Sequence, residues 1–391
     1  MKNLFDELEV TVAGKNVQVV THHGPHYDEI VAMVIAIIEG SEEWLKQYCP
    51  ENILSLGVLG GPFDEHALPW RERQQECAAT LVAKSLGVIK SPQWENVIRY
   101  ARLNDTNGQT NPRGIAEVLN IYNNQNQNNI DAQVEACNWI HVATFIKYHD
   151  RENKDFSLDR IWQVAKSKPE ILKNIGVNLR YVREWVDRSE EALQRHQALY
   201  LEARQEWRDL QAANRAVSKT VTINGRAVKI CGAESDNYRM GAYLRSQTGE
   251  AAGVTIVKNR RGQVQICLQR EGGLEAGELA AIIRIEERRR RGKGTMDWCR
   301  ARMVGKIPEV PEWYYFLTKK FAMLMNGSLS YPFTDPTKIV FPELVGMVLA
   351  GINIKLFHPR HKELCRQGQC AGRACPWQAY GLARCRPKTN K

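Results

Sequence analysis

Short β-branched runs alternate with helical apolar stretches over the first part of this chain. Residues 17–21, VQVVT, form one such run; a His, Gly and Pro turn follows, and Asp28 then opens an apolar helical stretch through Ile38. A second apolar run, Ile53 to Leu59, ends in Gly60, Gly61 and Pro62, and Glu76 to Leu86 again reads as a helix. Strands alternating with helices predict an α/β fold built on a parallel sheet, whose ligands sit beyond the carboxyl ends of the strands. Both turns are therefore where chemistry is expected.

Further on, the polar tract Asn123 to Asn129 reads as a spacer loop between helical segments. Between Ser189 and Val217, the residues Leu193, His196, Tyr200, Ala203, Trp207 and Leu210 recur at three- and four-residue spacing, the face of a long amphipathic helix bridging two lobes. The period then shifts towards two. Thr220 to Cys231 carries the hairpin signal Asn224-Gly225, and Val254 to Leu268 turns at Asn259-Arg260-Arg261-Gly262. The expected division is an α/β domain over 1–150, a helical linker over 151–217, a smaller β-rich domain over 218–296 and a C-terminal extension over 297–391. The cluster Trp313-Tyr314-Tyr315-Phe316 reads first as core packing.

Composition agrees with a folded chain of several domains: 391 residues, 43% hydrophobic and 25% charged. The start, MKNLFDELEV, is acidic and lacks the apolar core of a secretory signal. The longest strongly apolar run, Ile30 to Ile38, is about half of a bilayer span. A cytoplasmic protein without a membrane partner is expected, and six of its ten cysteines (Cys49, Cys77, Cys137, Cys231, Cys267 and Cys299) are expected to be buried free thiols. The formal net charge of +10 favours a polyanionic partner, nucleic acid or nucleotide first.

Candidate chemistry concentrates at the first turn. Nine histidines in 391 residues predict roughly 0.1 per five-residue window, yet His22, His23 and His26 share one. The string runs Thr21-His22-His23-Gly24-Pro25-His26-Tyr27-Asp28-Glu29, so imidazoles and carboxylates converge at a strand's end, where they suit a divalent metal.

His22-x-x-Pro25-His26-x-Asp28 resembles the first motif of the DHH phosphoesterase superfamily, His-x-x-Pro-Asp-x-Asp, with His26 for the first Asp. That replacement is similar to the melanocyte-proliferating-gene, or metal-dependent protein hydrolase, branch. Phe63-Asp64-Glu65-His66 stands where the Asp-His-His motif is expected, with Glu65 departing from it, and Leu103-Asn104-Asp105-Thr106-Asn107-Gly108 is similar to the late Asp motif. The resemblance implies His22 and His26 as ligands of one metal and Asp28, Glu65 and Asp105 as ligands of a second. It also implies His66 in contact with a substrate phosphate. The family places a bridging Asp at the end of the second strand, where this chain has Ser55; Asp64 is the nearby carboxylate that compensates, and it is counted with His66 as catalytic. One or two ions of Mn²⁺ or Mg²⁺ suit this donor set, with water as the nucleophile on a phosphodiester.

The resemblance also implies a smaller substrate domain, matched more weakly over 218–290. Its Gly-Gly-His signature is partial here, Gly272 and Gly273 having no following histidine, and Arg260, Arg261 and Arg270 are the alternative phosphate contacts. Arg288, Arg289, Arg290 and Arg291 end a predicted helix and read equally as a solvated run or a phosphate track. Cys365, Cys370, Cys375 and Cys385 lie in an apolar-poor tail, where a structural Zn²⁺ or an iron–sulfur cluster substitutes for a core; His358 and His361 are substitute ligands, and free thiols are the third option. The function implied is hydrolysis of RNA, DNA or a short oligonucleotide, single-stranded in the first instance. Two alternatives stay open: a nucleic-acid-binding scaffold without turnover, and a small-molecule nucleotide phosphodiesterase. A homodimer is compatible with either.

Overall fold

The computed structural model describes residues 8–352, except 70–71, 73–74, 108–110, 128, 271–273, 275, 295, 319 and 328–332. The cysteine quartet, His358, His361, Gly272 and Gly273 lie outside the described residues. The chain is mixed α/β with two sheets, of three and seven strands, and it divides into two compact units at 196/197.

The first unit begins with β1 (Glu9–Val12) and β2 (Lys15–Val20), an antiparallel hairpin closed by Ala13 and Gly14, both at positive φ. Among the described residues of this unit, parallel pairing is limited to β2 with β3 (Ile53–Ser55), where Val19 faces Leu54 and Val20 faces Ser55. The parallel sheet expected from the alternation is thus a single two-strand pair plus a hairpin strand. The second apolar run stops being a strand at Ser55 because Gly57, Leu59 and Gly60 all adopt positive φ, which no extended strand accommodates.

The apolar run 30–38 lies in α1 (Tyr27–Glu39), whose residues from Tyr27 through Ala36 are all buried. A helix apolar on every side must be covered on every side. Here α3 (Ala78–Ser85), α4 (Glu95–Asn107), α5 (Ile115–Gln125) and α6 (Ile130–Tyr148) surround it, following the short α2 (Glu42–Tyr48). The sheet contributes Val17, Val19 and Leu54 to the same core. α7 (Leu158–Ser167) and α8 (Pro169–Asn174) add Ile161, Val164, Ile171 and Leu172 to it.

The expected linker is not a separate element. α9 (Leu179–Ala212) is 34 residues long and serves two cores in turn. Val182, Trp185 and Val186 are buried with the first unit, whereas Ala203, Trp207 and Leu210 pack with Cys231, Ala233, Met240 and Leu244 of the second. The boundary falls inside this helix, rather than at 150 and 217, because each half of its apolar face is covered by a different unit.

In the second unit the hairpin predictions hold. β4 (Val217–Ile223) pairs with β5 (Arg226–Glu234) across Asn224 and Gly225, both at positive φ as the tight turn demands. α10 (Met240–Arg245) then leads to β6 (Val254–Lys258), which pairs parallel to β5 and antiparallel to β7 (Val264–Gln269). The expected break at 296 is corrected by the sheet itself. β8 (Gly305–Lys306), β9 (Tyr314–Leu317) and β10 (Phe321–Asn326) extend it in the order β4-β5-β6-β7-β10-β9-β8, with β10 hydrogen-bonded to β7. The described residues from 297 to 352 therefore complete this unit. The apolar centre of α11 (Gly277–Arg290) is covered by α12 (Trp298–Ala301) and α13 (Phe341–Gly351). Trp313 and Tyr315 are buried, in line with core packing, while Cys299 is exposed rather than a buried thiol. No described helix is long and apolar enough to cross a membrane.

Candidate metal centre

The strand β2 ends at Val20, and the loop 21–26 carries the chain to the first turn of α1. Its φ-positive Gly24 lies against Asn123, whose side-chain amide donates to the Pro25 carbonyl at 3.1 Å. The supposed spacer tract is thereby corrected: Asn123 to Gln125 belong to α5, and Asn123 is buried beneath the histidine loop as its support. Nothing in the pattern of that tract marks Asn123 out.

Three segments far apart in sequence bring the candidate ligands together. The loop and first turn of α1 supply His22, His26 and Asp28; the 3-10 turn Glu65–Ala67 supplies Glu65 and His66; α4 supplies Asp105. His26, Asp28 and Asp105 offer ligand atoms within 4.8 Å of one another, as do Asp64, Glu65 and His66, and as do His22, His26 and Glu29. The His22 ring stacks on His26 at 5.3 Å and meets His66 edge-on at 6.1 Å. All seven residues singled out at this end of the chain thus gather in one place.

The electrostatics of that place are unfavourable without a counter-ion. Burial raises Asp28 well above the ordinary carboxylate range, and the nearby Asp105 and Glu29 charges raise it further. One of its oxygens accepts the Ala78 amide at 3.0 Å, at the start of α3, which is partial compensation only. Burial likewise pushes Glu65 up to about 8, with Asp28 adding to the shift. Glu65 Oε1 lies 3.2 Å from His66 Nε2, whereas Oε2 is buried with no hydrogen-bond partner. Burial also holds His26 below the usual imidazole range.

Glu29, which the sequence pattern left without a role, behaves differently. Burial opposes its ionisation, yet contact with His22 brings it down to about 2; burial opposes the charge on His22, yet Glu29, helped by Glu65 and Asp28, lifts it to about 9. The spacing His26-x-x-Glu29 at a helix start is that of a capping box, and it was the available signal.

Asp64 and Ser55 have local tasks. Asp64 accepts the Gly60 amide at 2.8 Å and the His66 amide at 2.8 Å, so it shapes the loop that presents Glu65 and His66. Ser55 donates to the Val58 carbonyl at 3.1 Å, closing the turn after β3, and residues 53–59 themselves supply no carboxylate. Gly57 in the same turn has φ +68, and a Cβ there would lie 2.4 Å from Glu29 Oε1. Gly57→Ala is therefore expected to destabilise the protein by about 1–3 kcal/mol through strain and displacement of Glu29. Thermal denaturation measures it, and an unchanged midpoint would show that the loop yields without cost.

Of the arginines of the second unit, Arg260 and Arg261 are exposed, whereas Arg270 and the run after Glu287 are bonded within the unit. Arg260 pairs with Asp236 at 3.1 Å, and Arg270 donates to the Thr318 carbonyl, while Arg261 is exposed. The run after Glu287 is half-buried and bonded within the unit. Arg288 donates to the Glu309 carbonyl at 2.9 Å; Arg289 and Arg290 each bind the buried Glu286 at 2.7 Å; Arg291 binds the buried Glu287 at 2.7 Å. These are internal ion pairs at the end of α11. Replacing all four with Ala is expected to lower the melting temperature of the protein, because breaking a buried pair costs about 3–5 kcal/mol. A variant that melts like the wild type and differs only in salt-dependent binding would restore the phosphate track.

Comparison with protein-family models, with curated proteins and with solved structures returns no match.

Proposed function

We propose that this chain is a divalent-metal phosphoesterase whose centre is formed by His22, His26, Asp28, Glu65 and Asp105. One observation carries the reading: the buried Asp28 and Glu65 and the half-buried Asp105, from three separate segments, converge on histidines, and Glu65 Oε2 is left without a partner. Burying like charges together is costly unless a cation joins them. Mixed imidazole and carboxylate donors fit Mn²⁺ or Mg²⁺, in one or two ions. Such a cation would neutralise phosphoryl oxygens and lower the pKa of water towards neutrality.

The chain's own residues do the rest. His66 is more than a third exposed, with Nε2 beside Glu65, so it can reach a phosphate oxygen while Glu65 orients its ring. Asp64 holds the turn that presents both. The substrate class we assign is a phosphodiester of nucleic acid or a short oligonucleotide, supported by the net charge of +10 rather than by the internally paired Arg288 to Arg291 run.

Activity is expected on bis-p-nitrophenyl phosphate or a labelled single-stranded oligonucleotide with Mn²⁺ present, lost in excess chelator and regained on adding the ion. Undiminished hydrolysis by chelator-stripped protein would overturn the reading. Ser55, in place of a carboxylate at the end of β3, favours a second reading, in which the centre binds metal and nucleic acid without turnover. Retained Mn²⁺ and oligonucleotide binding with no cleavage would support it.

A further inference from the structure

Glu29 is buried, and both of its oxygens are engaged by the protein. Oε1 meets His22 Nδ1, and Oε2 accepts from Thr21 Oγ1 at 2.5 Å and from the His26 backbone amide at 3.0 Å. Only the last of these contacts serves the start of α1; the other two reach out of the helix to the end of β2. The glycine at position 57 leaves the space that Oε1 occupies. We infer that Glu29 is a positioning residue which fixes the ring and tautomer of His22, an inference that rests on the metal-binding reading of this centre.

The physical basis is the chemistry of imidazole. A neutral ring that donates its Nδ1 proton to a carboxylate carries its lone pair on Nε2, and the same contact stops the ring from turning. Carboxylates in this outer position raise the basicity of a ligating histidine and typically contribute 10–100-fold to metal affinity. The role also explains why Glu29 sits among the ligands without being one of them. Each of its oxygens is already held by the protein, Oε1 by His22 and Oε2 by Thr21 and His26.

Mn²⁺ binding to the full chain, followed by loss of the free-ion electron paramagnetic resonance signal, tests the inference. Glu29→Gln retains a carbonyl oxygen for the His26 amide, so the helix start is preserved, and circular dichroism checks the fold. Its affinity is expected to fall about 10–100-fold, and Thr21→Val, which releases one anchor of the carboxylate, should cause a smaller fall. In His22→Ala protein, Glu29→Gln should have little further effect, since residues acting through one another are not additive. An undiminished effect in that background would make Glu29 a direct ligand, and an unchanged affinity in Glu29→Gln would remove its role; either overturns the inference.

Nitrogen-15 histidine spectra of the metal-free protein provide a reading independent of metal. A slowly exchanging Nδ1 proton on His22 is expected in the wild type and not in Glu29→Gln. Were the wild type to take up no Mn²⁺, the metalloenzyme reading would fall, and this resonance would still decide the pairing: its absence from the wild type overturns it.

Discussion

Asp28→Asn should lose more than about 100-fold in metal-dependent turnover, because removing a ligand costs more than removing the partner of one, itself about 10–100-fold. The same variant should be at least as stable as the wild type when metal-free. Asp28 is buried beside Asp105 and Glu29, so its charge is a liability to the fold that a neutral amide relieves. Function and stability thus move in opposite directions at one atom. The sign of the pH dependence follows from the same groups. An acid whose folded-state pKa is raised is penalised once it must ionise, so stability falls as pH rises from its unfolded value towards its folded one. For Glu65 that window extends to about 8. His22, raised to about 9, contributes stability that is full below the ordinary imidazole value and is lost as pH climbs through its folded value. Both act in one direction, and His26, held low by burial, opposes them only below the ordinary imidazole value. Metal-free wild type is therefore expected to melt lower at pH 8 than at pH 5.5, and Mn²⁺ should raise the midpoint more at the higher pH. Full turnover in Asp28→Asn, or a metal-induced shift no larger at pH 8, would contradict this account of the centre.

Arg284→Met should produce the largest loss of stability in the second unit. The guanidinium of Arg284 is fully buried in α11 and has no carboxylate partner among its hydrogen bonds. It donates instead to the carbonyls of Ala301 at 3.1 Å, Met303 at 2.6 Å, Gly305 and Trp313 at 3.1 Å. The segment from 301 to 313 is mostly irregular apart from the short β8, and a buried carbonyl must find a donor. Burial pulls the guanidinium down to about 10, which leaves it charged at neutral pH. Methionine fills similar volume but satisfies none of the four carbonyls, at about 1–3 kcal/mol for each orphaned group before relaxation. A net loss of about 3–5 kcal/mol is expected, comparable to breaking a buried pair. At about 2–4 °C per kcal/mol for a domain of this size, the melting midpoint should fall by roughly 10 °C. A shift of only a degree or two would mean that water replaces the arginine.

Local pattern was enough for the first strand and helix, the long bridging helix and the two hairpins of the second unit. Asn224-Gly225 predicts its hairpin because two successive residues at positive φ are a property of the dipeptide, and α1 announces itself through an apolar run too long to be anything but buried. The histidine string was legible as residue types suited to metal, whereas Glu65, His66 and Asp105 entered only through the family resemblance; these residues meet in space. What lay outside the pattern depends on partners remote in sequence. Arg288 to Arg291 look like a cationic surface until Glu286 and Glu287, one turn back on α11, are seen to be buried and in need of them. Asn123 looks like spacer until Pro25, 98 residues away, takes its amide. Arg284 is one more charge in a basic helix until four carbonyls close on it. Periodicity reports which face of an element is apolar, and composition reports net charge, but neither records which buried polar group answers which other. That pairing is a matter of distance and desolvation, and it arises only when the chain has folded.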